Sequence, residues 1–177
     1  MLAHPNILAQ FNSWANNRLY SACNELSESE LIKDRNAFFR SIIGTFNHIL
    51  LVDILYRERL LEIPTKFKKL DEILFKDFKL LYDNQMDEDN NWISITENIP
   101  DDSFDEKISF LTLLENPDRW EVPKHIYFTN LCQHQCHHRA QIHNMISASG
   151  VEPPPIGYIE FRIETDGSFV VSSDQKH

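Results

Sequence analysis

The sequence predicts an all-α protein of four long helices, with one short hairpin before the last of them. Three observations carry that expectation. Apolar residues recur at helical spacing through most of the chain. The stretch IIGTFNHILLVDILY (42–56) is apolar on almost every side, which marks a helix buried in a bundle. Period-two alternation is confined to one short segment near residue 110.

In the first segment, Ile7, Leu8, Phe11, Trp14, Ala15, Leu19, Ala22 and Leu26 fall on one helical face, and Pro5 suits its first turn. Trp14 is expected in the core. Ser27 to Glu30 has the S-x-x-E form of a capping box, so a short helical turn follows. The second long helix spans Phe38 to Leu61 and is stopped by Pro64. His48 stands in the middle of its apolar run. Gly44, one turn earlier, is expected to leave room beside that imidazole, at a cost of roughly 1 kcal/mol in helix propensity. Asp53 lies about 140° round the helix from His48 and reads as a buried, hydrogen-bonding carboxylate.

A third, more exposed helix is predicted from Leu70 to Ile99, with Leu74, Phe75, Phe78, Leu81, Tyr82, Trp92 and Ile95 on its apolar side. Its run MDEDNN (86–91) lacks the glycine and distal glutamate of a calcium loop and reads as a solvated face. Ile108, Phe110, Thr112 and Leu114 then alternate, and Asn116-Pro117-Asp118 is turn chemistry, which gives the hairpin. The last long helix spans about 123–149, with Pro123 in its first turn and Gly150 ending it. Residues 1–160 make one domain. The tail, 161–177, holds only a weak hairpin signal at Asp166-Gly167.

Composition excludes several function classes. A chain of 177 residues with 42% hydrophobic content supports one domain with a sizeable core. The formal charge of −10 argues against a nucleic-acid surface, which needs clustered Lys and Arg. No apolar run reaches the roughly 18–20 residues of a membrane span, and no signal peptide is expected. Four glycines leave no Gly-rich phosphate loop. Three cysteines do not suggest a disulfide framework, so a cytoplasmic location is expected.

Chemistry concentrates in NLCQHQCHHRAQIHNM (130–145), which holds four of the eight histidines. His134 and His138 lie about 40° apart on one helix face, one turn apart. Two such imidazoles close on one metal ion at roughly 2.0–2.1 Å. With His48 from the second helix they form a three-histidine constellation. His137 falls about 60° to the other side of His134, beside the metal site or against another helix. Arg139 and Gln141 are candidates for orienting a substrate or a ligand. Cys132 and Cys136 lie about 160° from the histidine stripe, cannot join it, and read as small buried hydrophobes, with a subunit contact as one reason for them. His143 lies about 180° from His134 and is excluded. Three neutral ligands leave a divalent ion cationic with an open position, the pattern of catalytic sites. Such an ion lowers the pKa of bound water towards about 7 or binds a thiolate.

The sequence resembles the DinB (damage-inducible, YfiT-like) family. The resemblance rests on FFRSIIGTFNHILLVDILYRERL (38–60), on HQCHHRAQIHNMISASGVEPP (134–154) and on WANNRL (14–19), at matching spacing over residues 1–160. It implies an up-down-down-up four-helix bundle, usually dimeric, with a divalent metal such as zinc or nickel on His48, His134 and His138. It also implies a metal-dependent hydrolase or a thiol-dependent S-transferase, with a low-molecular-weight thiol as a candidate cosubstrate and a small molecule as substrate. Departures from the family pattern are Ala140 for Gly, Gln133 for Asn and Tyr56 for Trp, and none of them removes a ligand. The rival expectation is a non-catalytic module whose bundle the metal merely stabilises.

Overall fold

The computed structural model describes residues 4–167. Six helices and a two-stranded sheet follow one another: α1 (Pro5–Cys23), α2 (Glu28–Ile32), α3 (Ile42–Leu60), α4 (Phe78–Glu97), β1 (Lys107–Leu111), β2 (Arg119–Pro123), α5 (Lys124–Ser147) and α6 (Tyr158–Thr165). The fold is mostly helical, as the sequence predicts. Among the long helices, α1 packs on α4 and α5, and α3 packs on the same two. Each long helix therefore touches two others.

Helix starts follow side-chain caps, where the first amide groups lack intrahelical partners. The Ser27 hydroxyl accepts from the Glu30 amide at 3.3 Å, which supplies half of the expected capping box. Ser41 caps α3 through the Gly44 amide at 3.1 Å, so that helix starts at Ile42, four residues later than Phe38. Asp77 caps α4 through Leu80 at 2.8 Å. The expected start at Leu70 fails because Asn47 captures the preceding chain. Its side-chain oxygen accepts from the Leu74 and Phe75 amides, at 2.7 and 2.9 Å, and its amide donates to the Phe75 carbonyl. Leu74 and Phe75 still pack on the core, but from a loop. Pro123 ends β2 and stands at the N-cap position of α5, with no side-chain cap bond, rather than entering its first turn. Gly150 adopts φ of 82° beyond α5, a left-handed conformation that a side chain disfavours.

The hairpin pairs Ile108 with Val122 and Phe110 with Trp120 in antiparallel register. The main core joins Leu19, Phe46, Leu50, Leu81, Ile142 and Ile146. Beyond the expected domain end at 160 the chain is helical, not a bare tail. Helix α6 lays Phe161 against Phe11 and Trp14, with centroids 5.7 Å apart in both pairs. Trp14 is accordingly packed but only half-buried, and its Nε1 donates to Glu164 at 2.8 Å. The residues before Asp166-Gly167 belong to α6, so they form no strand of the expected weak hairpin, and the residues after it lie outside the described ones.

The MDEDNN stretch departs from expectation. Glu88 and Asp89 are buried, not solvated. Glu88 meets Arg57 at 2.7 Å. Asp89 accepts from Asn12, Asn16 and Gln85 at 3.1–3.2 Å. Arg139, 1% exposed, donates to Asn12 and Asn16 from the other side. Asp53, 0% exposed, accepts from Gln85 and Gln135. Burial pushes Asp53 and Asp89 above the usual carboxylate range; Asp89 and Glu88 raise Asp53 further, and Glu88 raises Asp89. The expected role of Asp53, a buried hydrogen-bonding carboxylate, is what the structure contains.

Candidate metal centre

His48, His134 and His138 converge from α3 and α5. One ring nitrogen from each lies within 4.8 Å of the others. The Nε2 atoms of His48 and His134 are 2.9 Å apart. Tetrahedral ligands at roughly 2.0–2.1 Å from a metal stand about 3.3 Å from one another, so small ring rotations would admit an ion.

Two of the rings have their outer nitrogen engaged. His48 Nδ1 lies 2.7 Å from the Leu70 carbonyl, to which it can only donate, leaving Nε2 as an acceptor. His138 Nδ1 lies 2.9 Å from Gln141 Oε1, and the same logic directs its Nε2 inward. Gln141 Nε2 in turn donates to His137 Nε2 at 3.1 Å. Such outer partners fix tautomer and orientation in metal-ligating histidines. His134 Nδ1 is buried without a partner.

The charge state also suits a cation. Burial, opposed by the Leu70 hydrogen bond and reinforced by His138, holds His48 down at about 4. Burial and the other three imidazoles hold His134 at about 3. Burial lowers His138 as well, against the Gln141 hydrogen bond. All three are therefore neutral near pH 7, with lone pairs free for a metal. Among the described residues, these three are the group of His, Cys, Asp and Glu side chains placed to share an ion.

An aromatic wall closes one side. Phe39 stacks on His48, with centroids 3.8 Å apart and planes at 17°, and stands edge-on to His138 at 5.4 Å. Gly44 makes this possible in a way the sequence did not suggest. A Cβ on Gly44 would lie 2.2 Å from the Phe39 carbonyl oxygen, not beside the imidazole. The loop bearing Phe39 also turns through Arg40 at φ of 64°.

The other sequence candidates divide. Gln141 and His137 are at the site. Arg139 is not: it faces α1 within the buried polar network. Cys132 and Cys136 stay off the histidine face, as expected, but neither is buried. Cys132 is half-exposed and Cys136 exposed, the latter accepting from Arg139 at 3.5 Å. The Leu70 carbonyl and Phe39 escaped sequence reasoning. Any residue supplies a carbonyl, and Phe39 sits in a loop whose path no local pattern announces.

The fold and the three converged imidazoles together define a mostly helical protein with a candidate divalent-metal centre. The family model described as "DinB family" matches residues 1–167. The chain belongs to the DinB family. A solved crystal structure of a DinB-like protein from Bacillus cereus ATCC 10987 shares the fold, with a TM-score of 0.61 at 14% identity, covering 84% of this chain and 94% of that one. No curated protein sequence matches the chain significantly. Among the described residues, no helix is long and apolar enough to cross a membrane.

Proposed function

We propose that His48, His134 and His138 hold one divalent ion, zinc or nickel, and that the protein is a metal-dependent enzyme of the hydrolase or thiol S-transferase type. The carrying observation is the 2.9 Å approach of the Nε2 atoms of His48 and His134 while the outer nitrogen of His48 is held by Leu70. When bound, the ion would supply Lewis acidity and an open position that lowers the pKa of a water or low-molecular-weight thiol. The chain's own residues have distinct tasks. Gln141 orients His138, and His137 orients Gln141. Phe39 excludes water from one side of His48. The absence of a carboxylate among the three ligands keeps the centre cationic.

The cyclic packing of α1, α4, α3 and α5 supports reading them as an up-down-down-up four-helix bundle. We also propose a cytoplasmic homodimer acting on a small molecule, with no nucleic-acid or membrane partner. Ile43 and Leu50 are buried within the chain, whereas Phe38, 85% exposed, remains for a partner surface.

The alternative is a non-catalytic module in which the metal ties α3 to α5. Metal analysis of the purified protein should give about one ion per chain, lost in His48→Ala, His134→Ala and His138→Ala but kept in His143→Ala. Equal loss in all four would sink the assignment. Chelation that abolishes turnover of thiol conjugates or simple esters while leaving the fold intact supports the enzyme. Chelation that unfolds the protein, with no turnover in the loaded form, supports the module.

A further inference from the structure

About a quarter turn round α5 from the histidines lies a cavity, which none of the proposed metal ligands lines. Its floor is Asp53 and Trp92, tied together by the Trp92 Nε1 bond to the Asp53 carbonyl at 3.2 Å. Phe128 and Leu131 of α5 form one apolar wall, and Ala9 of α1 the other. Leu8, Asn12 and Cys132, only partly buried, form the rim between α1 and α5. The volume of ≈ 40 Å³ has room for about three water-sized groups.

The polar atoms here are mostly acceptors. Gln135 is 1% exposed, and while its amide nitrogen donates to Asp53, its Oε1 is buried with no partner. Gln85 repeats the arrangement behind Asp53: its nitrogen donates to the carboxylate and its Oε1 is orphaned. Orphaned buried acceptors in a native fold call for a donor, because each costs about as much as a lost hydrogen bond. Among the described residues no cation meets them, since the buried one, Arg139, bonds Asn12, Asn16 and Cys136 instead. Charge points the same way. Asp53 and Asp89 share the interior with Arg139, while Glu88 is matched by Arg57, so one negative charge is unmatched by a cation.

We propose that this cavity is a binding site for a small primary ammonium ion, whose N–H groups donate to Gln135 Oε1 and Asp53 and whose short alkyl part lies among Trp92, Phe128 and Leu131. A donor-rich cation answers both the orphaned acceptor and the unmatched carboxylate, and the aromatic faces favour it further. Where the site is empty, a proton on Asp53 neutralises the excess, and the incoming ion releases that proton. Because the cavity and the histidine cluster occupy adjacent faces of α5, about 90° apart, and share no lining side chain, the site stands whether or not a metal is bound.

The test is a titration of the ¹⁵N-labelled full chain with ethylammonium chloride, using sodium chloride to match ionic strength and ethanol as the neutral molecule of equal size. Saturable amide shifts are expected around Leu8–Asn12 and Leu131–Gln135, with a dissociation constant on the order of 1 mM or weaker for three heavy atoms. Ethanol should bind at least tenfold more weakly. Asp53→Asn should weaken binding at least tenfold, and Ala9→Leu, which fills the cavity without touching the carboxylate, should abolish it. His134→Ala should bind ethylammonium as the wild type does. If Asp53→Asn fails to fold, Ala9→Leu and the ethanol comparison decide. An equal response to ethanol, shifts that survive Ala9→Leu, or no saturable shift at all would overturn the proposal.

Discussion

Replacing Gly44 with alanine separates two accounts of the same residue. Gly→Ala within a helix ordinarily stabilises by up to about 1 kcal/mol. If Gly44 merely left space beside His48, the substitution would be neutral or stabilising. The structure predicts the opposite. A Cβ there meets the Phe39 carbonyl oxygen at 2.2 Å and the Ser41 hydroxyl at 3.2 Å. A normal contact requires the Phe39 backbone to retreat by about 1 Å, since real Cβ atoms rarely approach closer than about 3.4 Å. That retreat breaks the stacking on His48, worth about 0.5–1.5 kcal/mol for an aromatic pair. It also disturbs the Ser41 cap, whose loss costs about 0.5–2 kcal/mol. Net of the propensity gain, Gly44→Ala should destabilise the metal-free protein by about 1–2 kcal/mol. Urea unfolding in the presence of a chelator measures it. Metal affinity should fall in parallel, because His48 loses its wall. A variant as stable as the wild type, with unchanged metal affinity, would refute the close approach.

Three further outcomes follow from the same geometry. Gln141→Leu frees the outer nitrogen of His138 and should lower metal affinity about 10–100-fold with little change in fold, read by competition with a chromogenic chelator. In metal-free protein, the unfolded chain takes up protons near pH 6.5, well before His48 at about 4 and His134 at about 3, so the stability these neutral rings hold above about pH 6.5 should drain away as pH falls towards 4. His134→Ala should show a smaller drop in urea midpoint between pH 7.5 and 5 than the wild type, and an equal drop would contradict it. Sedimentation at micromolar concentration should give a dimer; a clean 20.8 kDa monomer would remove that proposal.

The sequence was most legible where physics is local. Helical periodicity, Pro5, the Ser27 cap and the hairpin turn all act within a few residues, and they fall where expected. The i, i+4 pair of His134 and His138 is a property of one helix, and burial of His48 follows from the apolar run around it. What was hidden depends on contacts between distant segments. Nothing local says that Asn47 will bind a loop 28 residues away and delay α4 to Phe78. An acidic run looks solvated until Asn12, Asn16 and Arg57 arrive from other helices to meet Asp89 and Glu88. Phe39 looks like the start of a helix until Ser41 takes the cap. The tail's α6 is short, and it is held by Trp14 and Phe11 from the far end of the chain.

Helix α5 explains why the polar residues of 130–145 could not be assigned as one group. Its hydrophobic residues Leu131, Ile142 and Ile146 are buried, yet Gln135, His138 and Arg139 are buried beside them. A helix with that many buried polar groups must satisfy them on more than one side. It does so on two fronts. His134 and His138 face His48, where their partners are imidazoles and the Gln141 amide. Gln135 and Arg139, each one residue further along, face α1 and α3, where their partners are Asp53, Asn12 and Asn16. One residue is about 100° of helix, enough to send neighbours in sequence to different networks. Deleting Arg139 should therefore perturb the buried carboxylates and leave metal affinity close to that of the wild type, although it adjoins His138. An Arg139→Met variant that folded yet lost metal as completely as His138→Ala would show that the two faces of α5 are one site after all.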